Sequence, residues 1–94
     1  MVTRIVKMCF RESEINNFKN LFEQVKLPIL SCEGCISVKL LQSKDEPQFI
    51  FTLSKWNEEK DLENYRQSEL FLNTWKITRL MFEGKAEAWT LYDL

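Results

Sequence analysis

Residues 55–75 read KWNEEKDLENYRQSELFLNTW, and the way this stretch changes character decides the fold. Lys55 and Trp56 finish an apolar strand. Asn57 suits the N-cap of a helix whose first turn carries Glu58 and Glu59, where acids meet the positive end of the helix dipole. Leu62 and Tyr65 ride on that helix, which is predicted to break near Gln67. Ser68 then caps a second segment, predicted to reach Phe82. Along this second segment Phe71, Trp75 and Phe82 fall on one line. Leu70, Ile77 and Met81 fall on another, a quarter-turn or more away at roughly 100° per residue.

Upstream, Phe49 to Lys55 is rich in strand-favouring residues, with Phe49, Phe51 and Leu53 on one side and Ile50 and Trp56 on the other. The polar turn Lys44-Asp45-Glu46-Pro47 separates it from a strand over Cys35–Gln42, with Ile36, Val38 and Leu40 along one face. Gly34 turns the chain into that strand. Before it, Ile15, Phe18, Leu21, Phe22 and Val25 form the apolar stripe of a helix over Ser13–Leu27. Ser13 is its expected N-cap, and Pro28 is expected to end or kink it, because the ring would clash with the carbonyl of Gln24. Val2 to Phe10 alternates as a strand, with Val6, Met8 and Phe10 on one face and Ile5 and Cys9 on the other. Lys85 to Leu94 closes the chain as a strand: Trp89, Leu91 and Asp93 share one face, and Ala86, Ala88, Thr90 and Tyr92 the other.

The order is βαββαβ in one 94-residue domain. It predicts an α+β, ferredoxin-like antiparallel sheet with both helices on one face. Such a sheet has an uncovered side and should alternate cleanly between apolar and polar. Here large apolar residues project from both sides, so the second face is predicted to pack on a copy of itself, giving a homodimer built sheet on sheet. A chain this short buries only a little over ~60% of its unfolded surface, and dimerisation adds to that.

Composition removes several functions. The chain contains no histidine, the commonest metal ligand and the commonest general base. Charged residues make up 29% with a formal net charge of -1, and no basic stripe is interleaved with aromatics, so nucleic acid is not an expected partner. The apolar runs are too short for a membrane span, and the N-terminus lacks the apolar segment of a signal peptide. Three cysteines, an odd number, point to a reduced, cytoplasmic protein.

The opening alternating strand, Glu33-Gly34-Cys35 entering strand two, and Trp56 with Glu58-Glu59 at the second helix resemble the antibiotic biosynthesis monooxygenase (ABM) superfamily of dimeric α+β barrels. The string Leu62, Glu63, Tyr65, Arg66, Ser68, Glu69, Phe71, and Ala88-Trp89 near the end, extend the likeness over nearly the whole chain. The resemblance implies one of two activities. One branch oxygenates polycyclic phenols or quinol-like compounds without metal, flavin or other cofactor. The other degrades haem, using a helix histidine with nearby Asn and Trp. In this chain Trp75 falls at the histidine position, Tyr65 at the pocket tryptophan and Lys7 near the strand-one asparagine, so haem degradation is not the expected activity. The implied function is a cofactor-independent monooxygenase acting on an aromatic small molecule. The alternative is a non-catalytic dimer of the same fold that binds a small ligand or a protein.

Trp56, Asn57, Tyr65, Phe71 and Trp75 are the candidate pocket residues. Flat aromatic walls with a few polar groups suit a flat apolar ligand, although aromatic stripes at helical spacing also serve as plain core. Tyr65 offers a phenol, and Asn57 an amide or merely a helix cap. Trp56 is either a pocket wall or a packed rim residue. Arg66 can grip an anion or pair with Glu63 and Glu69, one turn away on either side. Cys32-Glu33-Gly34-Cys35 is a CxxC, but it follows a helix C-terminus, where no dipole lowers a thiol pKa. With only Cys9 left over it cannot complete a structural zinc site. Glu58, Glu59, Asp61 and Glu63 splay around their helix, so no metal is expected there.

Overall fold

A computed structural model describes residues 1–94. The strands are β1 (Val2–Cys9), β2 (Cys35–Gln42), β3 (Phe49–Trp56) and β4 (Glu87–Tyr92); the helices are α1 (Ile15–Leu30), α2 (Glu59–Arg66) and α3 (Glu69–Arg79). The strands form one sheet in the order β2-β3-β1-β4, antiparallel throughout. This is the ferredoxin-like α+β arrangement.

Register sorts the side chains into two layers. Val2, Val6 and Met8 of β1 stand opposite Trp56, Thr52 and Ile50 of β3, and Ala88 of β4 stands beside Val6. These face the helices, and Val2, Met8, Ile50 and Trp56 are buried there. The other layer aligns Ile5 with Leu53 and Trp89, and Lys7 with Phe51. It has no covering element in the chain, and Trp89 and Leu91 remain 42% and 46% exposed. Under the helices, Phe10 and Phe18 join Met8 and Ile50, while Phe22, Ile29 and Val38 form a neighbouring cluster.

Several local expectations needed correction. Ser13 does not cap α1: Glu12–Glu14 form a 3-10 turn, and Glu14 precedes the helix without a side-chain bond. The helix passes through Pro28 to Leu30, where it is tied off by Ser31, whose N–H and hydroxyl both donate to the Leu27 carbonyl. Proline costs the helix a donor; burial of Ile29 against Phe22 and Val38 favours keeping that last turn. Ile36 does not share a face with Val38. Cys35 pairs with Trp56 and Ser37 with Lys55, so Ile36 is the extra residue of a β-bulge and is 43% exposed.

Asn57 does not cap α2 either. Glu58 holds the extended cap position, with no side-chain bond, while the Asn57 N–H donates to the Gly34 carbonyl at 2.8 Å. Ser68 does cap α3, accepting from the Phe71 N–H at 3.1 Å. That helix ends at Arg79, and Phe82 lies beyond it in an isolated bridge to Phe10.

Candidate functional site

Ala86, just before β4, and Ala88 within it border a hollow between the helices and the sheet. This cavity has a volume of about 280 Å³, near the lower limit of the ~300–1,000 Å³ of ordinary small-molecule sites. The sheet supplies its floor through Val6, Met8 and Thr52, and α1 supplies Phe18, Leu21 and Phe22. Tyr65 and Arg66 close one end from α2, and Phe71 and Trp75 form the roof from α3. All six residues of β4 are exposed, so the cavity is open along that edge.

An unbroken series of aromatic contacts runs through the helix layer. Trp56 stacks on Tyr65 at 5.0 Å, Tyr65 meets Phe71 edge-on at 5.3 Å, and Phe71 lies nearly parallel to Trp75 at 6.1 Å and 9°. Phe82 meets Trp75 edge-on at 5.6 Å and Phe10 at 5.3 Å. Tyr65, Phe71 and Trp75 therefore line the cavity from positions fixed by their neighbours. Trp56 stands behind Tyr65, wholly buried with Val2 and Leu62, its indole N–H donating to the Ser54 hydroxyl at 3.0 Å. It is a core residue and not a wall. Asn57 is exposed and reaches no part of the lining.

The Tyr65 phenol is pushed well above its ordinary range by burial, with the neighbouring Cys32 and Cys35 thiols adding to the effect. It is a neutral group at physiological pH, able to donate a hydrogen bond but not to act as a base. Burial also raises both thiols, and Cys32 further raises Cys35. The CxxC thus lacks the lowered pKa of a reactive thiol.

The charged residues of the lining are two arginines and Glu87, whose register opposite Lys7 places it on the outer sheet face. Arg66 donates from Nη1 to Glu63 Oε1 at 3.1 Å, and Glu69 takes no part in that pair. Its Nε is buried without any acceptor. Arg4 lies on the helix-facing side of β1 and lines the cavity. Its Nη1 donates to the Thr90 hydroxyl at 2.7 Å, and no carboxylate pairs with it. Burial lowers its pKa first, and the nearby Arg66 charge lowers it further, with Glu63 opposing. Sequence reasoning passed over Arg4, although its spacing from Val2 and Val6 put a charge on an apolar face, and that mismatch was the available signal.

A family model for "Antibiotic biosynthesis monooxygenase" matches residues 1–76, from β1 into α3. The chain belongs to the ABM family. Its fold recurs in Rv0793 from Mycobacterium tuberculosis, at 19% identity and a TM-score of 0.90 over 99% of this chain and 94% of that one. A conserved protein from Methanosarcina mazei Go1 matches at 22% identity and a TM-score of 0.90, over 97% and 91% of the two chains. A mutant of SnoaB, a cofactor-independent oxygenase from Streptomyces nogalater, matches at 14% identity and a TM-score of 0.87, over 98% and 91%. At such identities these likenesses show the ABM fold alone. No curated protein sequence matches the chain significantly. No helix of this ABM protein is long and apolar enough to cross a membrane.

Proposed function

We propose that this ABM-family protein is a cofactor-independent monooxygenase acting on a flat aromatic, quinol-like compound. The observation that carries the reading is an aromatic-walled cavity lined by two arginines, a neutral phenol and the hydroxyl residues Thr52, Ser54, Thr74 and Thr78. Its one carboxylate residue, Glu87, stands opposite Lys7 on the outer sheet face by register, which leaves no base directed at a ligand. The cavity is suited to hold a substrate that has already lost a proton. The ionised phenol or enol passes one electron to O2, and the resulting radical and superoxide join to form a C–O bond. The peroxide takes up a proton and loses water, so that a ring CH2 and O2 become a carbonyl and H2O. The protein contributes an apolar enclosure and hydrogen-bond donors directed at the anion.

The working unit in this proposal is a homodimer joined through the outer sheet face, where Ile5, Phe51, Leu53 and Trp89 lie together by register. The three unpaired cysteines suit a reducing compartment such as the cytoplasm.

An oxygen electrode tests the activity against a panel of anthrones and quinols. The proposal expects one O2 consumed per substrate oxidised, above the spontaneous rate, and a loss of that rate in Trp75→Ala. Tight binding without oxygen uptake across the panel assigns the cavity to a non-catalytic binding protein instead.

A further inference from the structure

We propose that Arg4 and Arg66 form an anion-recognition pair, which makes the cavity selective for planar aromatic ligands carrying one oxygen acid already ionised at neutral pH. The inference rests on the cavity being the ligand site and deepens that reading by naming the chemical feature it selects.

Three observations converge. Arg4 is a guanidinium on the helix-facing side of a sheet whose neighbouring positions there, Val2, Val6 and Met8, are apolar. Within the chain it meets only a neutral hydroxyl, that of Thr90, and leaves its other donors free. Arg66 presents a buried Nε without an acceptor, a costly state for a charged donor unless a ligand completes it. Both arginines line the same cavity.

Glu63 neutralises only part of this charge, since it pairs with Arg66 and not with Arg4. Glu87 also borders the cavity, but its register places it opposite Lys7 on the outer sheet face. A positive balance is left over an apolar chamber, the setting in which an oxyanion with a flat hydrocarbon body is held best. It also accounts for a site without a base: the two cations favour the ionised ligand, so proton removal needs no dedicated residue.

The test compares 2-naphthoate with 2-naphthylmethanol, which share a ring system and differ in charge, by tryptophan quenching and calorimetry under nitrogen. Preference for the acid by about tenfold or more is expected, the scale of one charge-assisted hydrogen bond. Arg66→Gln and Arg4→Gln should each remove most of that preference and leave the alcohol's affinity unchanged. Arg66 is the last residue of α2 and its side chain is 39% exposed, so its variant is expected to fold and decides the matter even if Arg4→Gln does not. Arg4→Lys keeps the charge and should retain part of the preference. Equal affinities in the wild type, no binding of either compound, or a preference untouched by Arg66→Gln overturns the proposal. Working under nitrogen separates the two readings: naphthoate selectivity without oxygen uptake by any phenol removes the oxygenase and leaves the anion site standing.

Discussion

Tyr65 lies against Trp56 with ring centroids 5.0 Å apart and planes 27° from parallel. One ring belongs to the core and the other to the cavity wall, so the stack is where stability and ligand binding meet. Trp56→Ala empties a fully buried site and should cost about 3–5 kcal/mol. Tyr65→Phe keeps the stack and removes a hydroxyl that has no partner in the chain, so it should change stability by less than about 0.5 kcal/mol. Urea unfolding of the two variants checks both values.

Alkaline pH should weaken the fold in two stages. Cys32 and Cys35 are harder to ionise in the folded chain than their ordinary value of 9.0, and Tyr65 harder than 10.0. The folded state therefore holds more protons than the unfolded one above these values, and stability falls as pH rises through them. Replacing both cysteines with serine should delay the onset of the loss, and Tyr65→Phe should flatten its upper part. Tyr92, raised through its hydrogen bond to Glu59, leaves a residual slope. Urea midpoints measured between about pH 8 and pH 11 resolve the stages.

Gly34 joins α1 to β2 with φ +80, and a Cβ there would overlap the Asp61 side chain. Gly34→Ala should destabilise by at least the roughly 1–2 kcal/mol of a left-handed residue. The Asp61 Cβ is itself part of the overlap, so adding Asp61→Gly should relieve it, and comparison with Asp61→Gly alone leaves the backbone part. Thermal melts of the single and double variants separate the two contributions.

Leu53 stands between Ile5 and Lys39 in the register of the outer sheet face. Leu53→Asp places a charge at the centre of the proposed dimer contact and should yield a monomer. Light scattering coupled to size exclusion should give twice the chain mass for the wild type and the chain mass for the variant. A wild-type monomer at micromolar concentration refutes the contact.

Much of the fold was legible because the strand period of two and the helix period of 3.6 are backbone geometry written into side-chain order. Val6, Met8 and Phe10 against Ile5 and Cys9 separate the two sheet faces in the sequence itself. What escaped were places where tertiary packing overrides a local rule. Ile29 holds a helical turn past Pro28, and the bulge beside Cys35 turns Ile36 outward. The close approach of Asn57 to the Gly34 carbonyl takes its backbone out of the capping position. The site was half legible. Tyr65, Phe71 and Trp75 announced an aromatic surface, but whether it closed on the sheet or left a cavity depends on how distant segments meet, with Ala86 and Ala88 from the end of the chain completing the lining.

The three tryptophans offer a direct reading of where a ligand goes. Trp56 is sealed in the core, Trp75 roofs the cavity and Trp89 lies on the outer sheet face. Their indole N–H signals can be followed together by nitrogen-15 NMR while 2-naphthoate is added. If the cavity binds flat aromatic acids, the Trp75 signal shifts strongly and saturably and the Trp89 signal stays in place. A shift at Trp89 with Trp75 unmoved puts the ligand on the wrong side of the sheet and contradicts the assignment.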